Sequence, residues 1–409
     1  QQAEQVKNTA TILIGLGGTG IDCLRTIKTQ VYARLKPDDP TAEAPAYEHI
    51  RFLGIDSDEI SEACQGRLLP LDNTEFLSIG RSCLGRVFDN PKDLEAREDM
   101  SWFCWEDLRC PGADLRGIRQ VGRFLMVDKS RQFMDRVEQE IASATARLDH
   151  PSVHVHIFSG LCGGTGSGCF LDVCYMVRHI VDKMGYGIIF GYFFLPDVTL
   201  SKIPPADKNL RAHVAANGYA AMRELDYCMQ LGLNGGGFTQ KYQDHIDVDW
   251  KTAPVDMCHL ICATDANNSI IENAYGYAMN VTAEYIIDNL ADFNGRRSLD
   301  EEVAFFHYAT SIVDQAKTIG ANMAYRTIDG ACAYIPFREI NIYLASELFA
   351  KFSRIGQNIP TKVDVERLAA SAFARDAQSL SDVYNSLYRE LCTGFDSSYV
   401  PYADDWKYV

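Results

Sequence analysis

The sequence lacks the marks of several common protein classes. None of its 13 cysteines forms a C-x-x-C pair and no His/Cys cluster has the spacing of a zinc site, which favours free thiols in a reducing compartment over a disulfide framework. No apolar run reaches the length of about 20 residues that a membrane-spanning helix needs. The first residues, QQAEQVKN, do not have the shape of a signal peptide. We therefore expect a soluble, cytoplasmic protein that does not insert directly into a membrane.

Positive charge is also scarce. The chain has 39 Lys and Arg against 55 Asp and Glu, a formal net charge of −16, and this balance argues against a nucleic-acid partner or an anionic-membrane surface. The P-loop pattern G-x-x-x-x-G-K-[ST] is absent, so the lysine of that motif does not bind phosphate here. No repeat of fixed period and no low-complexity tract is present, which argues against a repeat architecture.

What the sequence does contain is a regular alternation of strand and helix patterns. ATILIG, IRFLGI, SVHVHIFSG, YGIIFGYFFL and VDMCHLICAT have the composition of buried strands, and helical patterns lie between them. This alternation predicts an α/β fold, a Rossmann-like parallel sheet with helices on both faces and ligand sites at the C-terminal strand ends. We place a main domain at 1–295, with a core helix at about 268–291, and a smaller C-terminal region at 296–409 that is partly helical, either α+β or helical.

Two glycine-rich loops follow predicted strands. GLGGTG at 15–20 matches G-x-G-x-x-G, which lets backbone N–H groups approach a phosphate but also serves nicotinamide and flavin dinucleotides or simple tight turns. CGGTGSG at 162–168 repeats the arrangement after a later strand and adds two hydroxyls. A dinucleotide fold has no need of a second cradle, so the pair favours a polyphosphate ligand. We expect a bulky residue at Gly164 or Gly166 to abolish ligand binding with the fold largely intact, because a Cβ would block close approach.

These stretches resemble the tubulin/FtsZ superfamily. CGGTGSG is similar to its GGGTGSG signature, with Cys162 in place of the first glycine. LIGLGGTG, FLGIDSD, GADLRGIRQVGR and LPDV…DKNLRAHVAANG resemble four further segments of the family in the same order, so that the resemblance covers about 10–295. It implies a GTPase domain of tubulin/FtsZ type that binds GTP or GDP with Mg²⁺ and assembles head to tail with copies of itself.

The resemblance also implies a set of phosphate and metal contacts. The two glycine loops would surround the phosphates through Gly17, Gly18, Thr19, Gly20, Gly163, Gly164, Thr165, Gly166, Ser167 and Gly168. Asp56 and Asp58 would hold Mg²⁺ through water, with a helix cap or turn acid as the alternative for Asp56. The segment that resembles the loop around the terminal phosphate contributes Gly112, Ala113, Arg119 and Arg123. The alternative for the two arginines is exposed charge at the start of a helix.

The sugar, base and hydrolysis assignments follow the same resemblance. Asp207 and Arg211 match the sugar-binding segment, or form a surface ion pair of little energetic weight. Tyr277 is expected to stack on the base and Asn280 to bind its edge, although their three-residue spacing departs from the family's four, and core packing is the alternative for Tyr275.

For hydrolysis, Asp300 and Glu301 in SLDEEV would position the attacking water on the nucleotide of the next subunit. The Asn-x-Asp pattern of FtsZ is absent there, and a solvated acidic turn is the alternative.

Three functions remain open from the sequence. The first is a self-assembling GTPase whose hydrolysis is completed at the subunit interface, and the second is a nucleotide-bound scaffold that assembles without turnover. The third, a Rossmann oxidoreductase that uses NAD(P), is disfavoured by the second glycine loop. Adaptor proteins are further expected partners, through the C-terminal region.

Overall fold

The structure, a computed structural model, describes residues 9–34, 49–60, 68–80, 100–104, 117–185, 187–231, 236–243, 246–265, 267, 269–290, 325–328 and 343–345. The chain divides into two compact units, Gln1–Gly330 and Ala331–Val409. Every strand and helix named below belongs to the first unit. The boundary predicted at 295/296 stays a prediction.

A parallel sheet forms the centre of the first unit. The strands in its described part are β1 (Thr9–Leu16), β2 (Ile50–Asp56), β3 (Phe76–Ser78), β4 (Ser152–Gly160), β5 (Ile188–Phe194), β6 (Phe238–Tyr242), β7 (Ile246–Trp250), β8 (Met257–Ile261) and β9 (Tyr325–Thr327). Seven of them pair in the order β3-β2-β1-β4-β5-β8-β9, every pair parallel, and β6 and β7 form an antiparallel hairpin. The central strands read as near-continuous apolar runs because helices cover both of their faces.

Helices pack on both faces of this sheet. They are α1 (Gly17–Arg34), α2 (Arg119–Asp128), α3 (Ser130–Thr145), α4 (Thr165–Met184), α5 (Pro196–Leu200), α6 (Lys208–Met229) and α7 (Ala274–Asn289). Ile12 and Ile14 of β1 belong to a core shared with α2, α3, α4 and α6, whereas Leu13 belongs to a second core shared with α1 and α7. Successive side chains of a strand point to opposite faces, so one strand supplies both cores. The predicted parallel α/β fold is confirmed, and the core helix expected at about 268–291 is observed as α7.

The strand order creates a crevice between β1 and β4. The chain proceeds from β1 to β2 and β3 on one side, while β4 and β5 lie on the other. Leu16, the last residue of β1, is paired with Ser159 near the end of β4. In open parallel sheets ligands bind at such a switch point, outside the carboxyl ends of the strands. Both glycine loops begin at this point of the sheet.

The described helices include none with the length and apolar character of a membrane span.

Neutral histidines are packed between sheet and helices. The His156 ring stacks on Phe190 with centroids 4.6 Å apart, and His259 stacks on Tyr192 at the same separation. Burial, the largest cause, lowers the pKa of His156 well below its usual value and that of His259 to about 4. The Nε2 atoms of both rings are buried without a hydrogen-bond partner. These imidazoles are therefore neutral at pH 7 and resist protonation in the folded state.

Acid should destabilise the fold, because His156 and His259 bind protons in the unfolded chain at a pH where they stay neutral in the folded protein. The pKa of each histidine is lower in the folded protein than the value of about 6.5 in the unfolded chain. The free energy of unfolding therefore falls as the pH drops below about 6.5. The slope is about 1.4 kcal/mol per pH unit for each histidine, until the pH reaches the folded pKa. We expect His259→Phe to reduce this slope by about that amount between pH 6 and pH 4.5. Urea unfolding followed by circular dichroism measures it. His150→Asn, at a position 98% exposed, is the control and should leave the slope unchanged.

Candidate functional site

A cavity of about 230 Å³ lies where the two glycine loops meet. Three adjacent strand ends, those of β2, β1 and β4, open onto it. Nine of the residues predicted for phosphate and metal binding line it, namely Gly17, Gly18, Thr19, Asp56, Asp58, Gly163, Gly164, Thr165 and Gly166. Parallel pairing brings them together, because residues that follow neighbouring strands emerge at one edge of the sheet.

The glycines of these loops have two different roles. A Cβ added at Gly18 or Gly163 would meet nothing within 4 Å, so these two backbones face open space. At Gly166 an added Cβ would lie 2.6 Å from the Leu16 carbonyl oxygen, and at Gly164 it would lie 2.9 Å from the Gly117 nitrogen. The expectation that bulky residues at Gly164 or Gly166 leave the fold intact is therefore wrong, since they would separate segments in direct backbone contact.

Gly17 and Gly20 hold the first loop in place. Gly17 has a φ of +64°, and a Cβ there would lie 2.8 Å from the Gly166 nitrogen, so the two loops touch backbone to backbone. Gly20 packs against the carbonyl of Phe158 in β4. Gly20 therefore packs the first loop against β4 and is not among the residues that line the cavity.

Two long helices begin at this cavity. α1 and α4 start at Gly17 and Thr165, and neither has an acidic residue in its first turn. The N-cap of α4, Gly164, makes no side-chain capping hydrogen bond. The first N–H groups of a helix have no carbonyl partner inside it, and they carry the positive end of the helix dipole. Two such termini around one space form a site for an anion.

Two carboxylates face the same space from the end of β2. Asp56 Oδ1 accepts a hydrogen bond from the Ser57 N–H at 2.7 Å, and Ser57 Oγ lies 3.0 Å from Thr165 Oγ1. Burial raises the pKa of Asp56, more than the Ser57 N–H lowers it. Ser57 was not predicted for the site, although its place between the two acids was the available signal.

The donor set of this cavity suits Mg²⁺ together with phosphate. The described residues that line it include two carboxylates and no lysine or arginine. An anion beside Asp56 and Asp58 needs a cation to offset their charge. Among the described residues no group of three or more His, Cys, Asp or Glu forms a metal site. Mg²⁺ commonly keeps several waters and takes one or two carboxylates plus phosphate oxygens, so two acids are enough.

Cys162, which replaces the first glycine of the signature, points away from the cavity. Its side chain is 2% exposed and packs in a small apolar cluster with Ile203 and Val214. Burial raises the pKa of its thiol to about 12. Asn217 of α6 donates hydrogen bonds to the Cys162 carbonyl at 3.0 Å and to the Gly117 carbonyl at 2.9 Å. The cysteine therefore anchors the second loop to α6 without entering the ligand space.

Ser167 and Gly168 do not reach the cavity. Ser167 is fully buried, and its hydroxyl donates to the Leu161 carbonyl at 2.6 Å. It lies two residues after Thr165, which is roughly half a turn of helix away, so it faces inward. A Cβ at Gly168 would lie 2.9 Å from the Arg123 nitrogen, so this glycine lets α2 cross α4 closely. Neither residue is among those that line the cavity, and their predicted phosphate contacts stay predictions.

Arg119 and Arg123 also lie on the other side of α2. Gly122, which follows Arg119 by three residues, faces the glycine loops, with a Cβ position 2.7 Å from Thr165 Cα. Arg119 Nε donates to Ser167 Oγ at 2.8 Å, and its guanidinium pairs with Glu224. Arg123 pairs with Asp172 at 2.9 Å. Neither arginine lines the cavity, because the face of α2 that carries Gly122 is the one turned to it, and the phosphate contact predicted for them stays a prediction.

Asp207 and Arg211 are used locally in the structure. Asp207 caps α6 by accepting from the Leu210 N–H at 3.1 Å. Arg211 Nη1 donates to the carbonyls of Leu200 and Ile203, both at 2.8 Å. These bonds tie the start of α6 to the preceding turn. Neither side chain lines the cavity.

Tyr275, rather than Tyr277, lies beside the first glycine loop. Its hydroxyl donates to Asp22 Oδ2 at 2.7 Å, and Asp22 is the second residue after the first glycine loop. Lys202 Nζ lies 3.8 Å from the centroid of its ring. Burial raises the pKa of this phenol, so it stays a donor. Tyr277 packs half-buried against the core with α1 and α7.

Asn280 is exposed, one turn further along α7. The structure does not bring it to the cavity. Gly112, Ala113, Asp300 and Glu301 lie outside the described residues, and their predicted roles stay predictions.

Comparisons with known proteins place this geometry in a family. A family model described as tubulin like matches residues 12–354. A comparison of the sequence with curated proteins finds no match.

Several solved structures resemble the chain at low identity. CetZ from Methanosaeta thermophila strain DSM 6194 is 12% identical over 69% of this chain and 55% of its own, with a TM-score of 0.39. CetZ2 from Haloferax volcanii, described as a GTPγS-bound protofilament, is 13% identical over 69% and 58%, with a TM-score of 0.38. TubZ from Bacillus thuringiensis serovar israelensis, described as a GTPγS-form protofilament, is 11% identical over 69% and 57%, with a TM-score of 0.37. The chain spans between 55% and 58% of the length of these three proteins.

The family match includes both glycine loops, the acids after β2 and the core helix α7, and it extends over most of the 409 residues. The ordered motifs predicted this membership from the sequence alone. The chain belongs to the tubulin-like family.

Proposed function

We propose that the chain binds a guanine nucleotide with Mg²⁺ in the cavity between β1, β2 and β4 and assembles head to tail into filaments. The observation that carries the nucleotide proposal is the convergence of two glycine loops and two helix N-termini on a space lined by two carboxylates. Backbone N–H groups and helix dipoles would supply the attraction that a P-loop lysine supplies elsewhere.

Each group at the cavity has a chemical role in this proposal. The open backbones of Gly18 and Gly163 let phosphate oxygens approach the N–H groups, and Thr165 adds a hydroxyl donor. Asp56 and Asp58 would hold Mg²⁺ through its water shell. The bound ion would offset the charge between carboxylates and phosphates. Ser57 fixes Thr165 by their hydroxyl contact of 3.0 Å.

Recognition of guanine rests in this proposal on Asp22 and Tyr275. The Watson–Crick edge of guanine carries two N–H donor groups, which a carboxylate accepts well and which adenine does not present in the same pattern. The Tyr275 hydroxyl and Arg25, whose Nη1 lies 3.6 Å from Asp22 Oδ1, hold Asp22 beside the first loop, and the side chain of Asp22 is 31% exposed. For the base, the alternative pair is Tyr277, which would stack on it, and Asn280, which would bind its edge. For the sugar, Asp207 and Arg211 would make the contacts after a rearrangement at the start of α6.

Purified protein should bind GTP about 100-fold more tightly than ATP in the presence of Mg²⁺, because two charge-assisted hydrogen bonds to the base edge are lost with adenine. Isothermal titration calorimetry of both nucleotides measures this ratio. We expect Asp22→Ala to remove the preference for GTP, with Asn280→Ala as the comparison variant. Loss of the preference in Asn280→Ala alone would transfer base recognition to that residue.

The same measurements separate the proposal from its rivals. Equal affinity for GTP and ATP would overturn guanine recognition, and NAD released from the purified protein would favour an oxidoreductase. Mass analysis of the released nucleotide identifies it directly.

Hydrolysis and partners form the remaining part of the proposal. Asp300 and Glu301 of one subunit would position the water at the nucleotide of the next, so turnover would need assembly. An assembling scaffold that does not hydrolyse its nucleotide is the second candidate, favoured by the absence of an Asn-x-Asp pattern in SLDEEV. A cytoplasmic location and adaptor binding through the C-terminal region complete the proposal.

A further inference from the structure

A second cavity, of about 530 Å³, lies across α2 from the glycine loops. The two cavities share no described lining residue, because α2 turns Gly122 toward the first and Arg119 and Arg123 toward the second. Its size falls within the range of about 300 to 1,000 Å³ that is usual for small-molecule sites. No role in the proposed nucleotide chemistry is assigned to it.

Three of the described residues that line this second cavity are aromatic, and neighbouring groups hold two of them, Trp102 and Phe238, in place. Trp102 lies under the Arg123 guanidinium, whose carbon is 4.2 Å from the ring centroid. Phe238 of β6 stacks on Tyr175 with centroids 4.3 Å apart. Tyr227, which is 51% exposed, stands at the mouth. Fixed aromatic surfaces of this kind favour a flat apolar ligand at little entropic cost.

The described lining of the second cavity has three arginines and two acids, so one arginine has no acid of the lining to pair with. Asp172 is neutralised by Arg123 at 2.9 Å and also accepts from the Tyr242 hydroxyl at 2.9 Å. Glu224 is held by Arg119, whose Nη1 lies 2.9 Å from its Oε1. Both acids that line the cavity therefore already have an arginine.

Arg223 is the third arginine of the lining. Within the part of the chain that the structure describes, its one hydrogen-bond contact is with the Tyr219 hydroxyl at 3.3 Å, and it has no acidic partner. A guanidinium is always charged and suits a carboxylate in a two-point geometry. A polyphosphate would need several cations, and the other two arginines of the lining, Arg119 and Arg123, are already paired with Glu224 and Asp172.

We propose that this cavity binds a small aromatic monoanion, an aryl carboxylate of metabolite size, with its ring along the Trp102 and Phe238 walls and its carboxylate on Arg223. The ligand class follows from the flat apolar walls together with the single unpaired cation.

A matched pair of probes tests the proposal on the purified full chain. 2-Naphthoate carries the ring and the charge, and 2-naphthylmethanol carries the ring alone. We expect calorimetry and ligand-observed NMR to show that the naphthoate binds at least about tenfold more tightly than the alcohol, the factor that one charge-assisted contact gives. Arg223→Gln should reduce naphthoate affinity to that of the alcohol, and Gln120→Trp, at an exposed position of the lining, should block both probes.

Arg147→Gln, an exposed arginine outside the lining, is the charge-matched control and should leave both affinities unchanged. Circular dichroism confirms that each variant is folded. Equal binding of the two probes, naphthoate binding that survives both Arg223→Gln and Gln120→Trp, or no binding of either probe at millimolar concentration would overturn the proposal. Loss of self-association in Arg223→Gln without any probe binding would instead assign this face to a second copy of the chain, and would equally overturn it.

Discussion

Gly163→Val is expected to lower the affinity for GTP by about 100-fold or more while leaving the stability of the fold near that of the unaltered protein. An added Cβ at Gly163 meets nothing within 4 Å, so the backbone tolerates the side chain. The same side chain would extend beside the cavity and exclude a phosphate from the N–H groups at the start of α4, at a cost of about two charge-assisted hydrogen bonds. Calorimetric titration with Mg²⁺ and GTP gives the affinity, and urea unfolding gives the stability.

Two glycine variants bracket this expectation. Gly166→Val should destabilise the fold itself, because its Cβ would lie 2.6 Å from the Leu16 carbonyl oxygen and 2.8 Å from Ser159 Oγ. Gly237→Val is the matched control, since its Cβ meets only ordinary contacts at 3.6 Å and lies outside the cavity. It should change neither affinity nor stability. If a folded Gly163→Val protein bound GTP with unchanged affinity, the assignment of the second loop as a phosphate-binding loop would be wrong.

The sheet and the meeting of the two loops were predictable from the sequence. ATILIG and SVHVHIF are continuous apolar runs, and such runs belong to strands that are covered on both faces. Each run ends directly in a glycine loop. Once the strands are parallel, their C-terminal ends share one edge, and the loops meet without further information. The acids after β2 follow by the same reasoning.

Which residues of a helix point toward the cavity was not predictable in the same way. The segment that contains Arg119 and Arg123 contributes Gly117 and Ile118 to the cavity lining, but the rotation of its helix depends on Gly122, which packs against Gly164 and Thr165. That contact is a tertiary one between residues more than forty positions apart. Ser167 is a similar case, because its hydroxyl is used by the Leu161 carbonyl inside the loop. Local patterns predict that a helix begins, and packing decides which of its residues face the ligand.

The residues proposed for base recognition were the hardest to predict from the sequence. The resemblance and a shared face of α7 favoured Tyr277 and Asn280, although their three-residue spacing departs from the family's four. The structure places Tyr275 against Asp22 in the second turn of α1, a contact between residues 253 positions apart. The register between α1 and α7 sets that contact, and no property of either segment alone specifies it. Asp22 follows the first glycine loop directly, which is the one local signal that it could belong to the site.

Specific GTPase activity is expected to rise with protein concentration, by about tenfold or more across the range in which filaments appear. In the proposed head-to-tail contact a single subunit holds only half of the catalytic groups, since Asp300 and Glu301 act on the neighbour's nucleotide. Contacts of this kind generate open filaments unless their rotation closes a ring. Removing both acids, by Asp300→Ala with Glu301→Ala, should slow turnover about 100-fold or more, as loss of general-base catalysis does, and prolong the polymers without weakening GTP binding.

Light scattering and phosphate release, recorded together over a dilution series, test this mechanism. A double variant of exposed acids, Glu138→Gln with Asp149→Asn, changes the net charge by the same amount and should leave turnover as it was. The loss of activity then separates from a general effect of charge on association. Turnover per subunit that stays constant on dilution would place all catalytic groups within one subunit. Polymers that form with GTP but release no phosphate would instead favour the scaffold without hydrolysis, because assembly would then depend on the bound nucleotide alone and the acids of SLDEEV would have no chemical role.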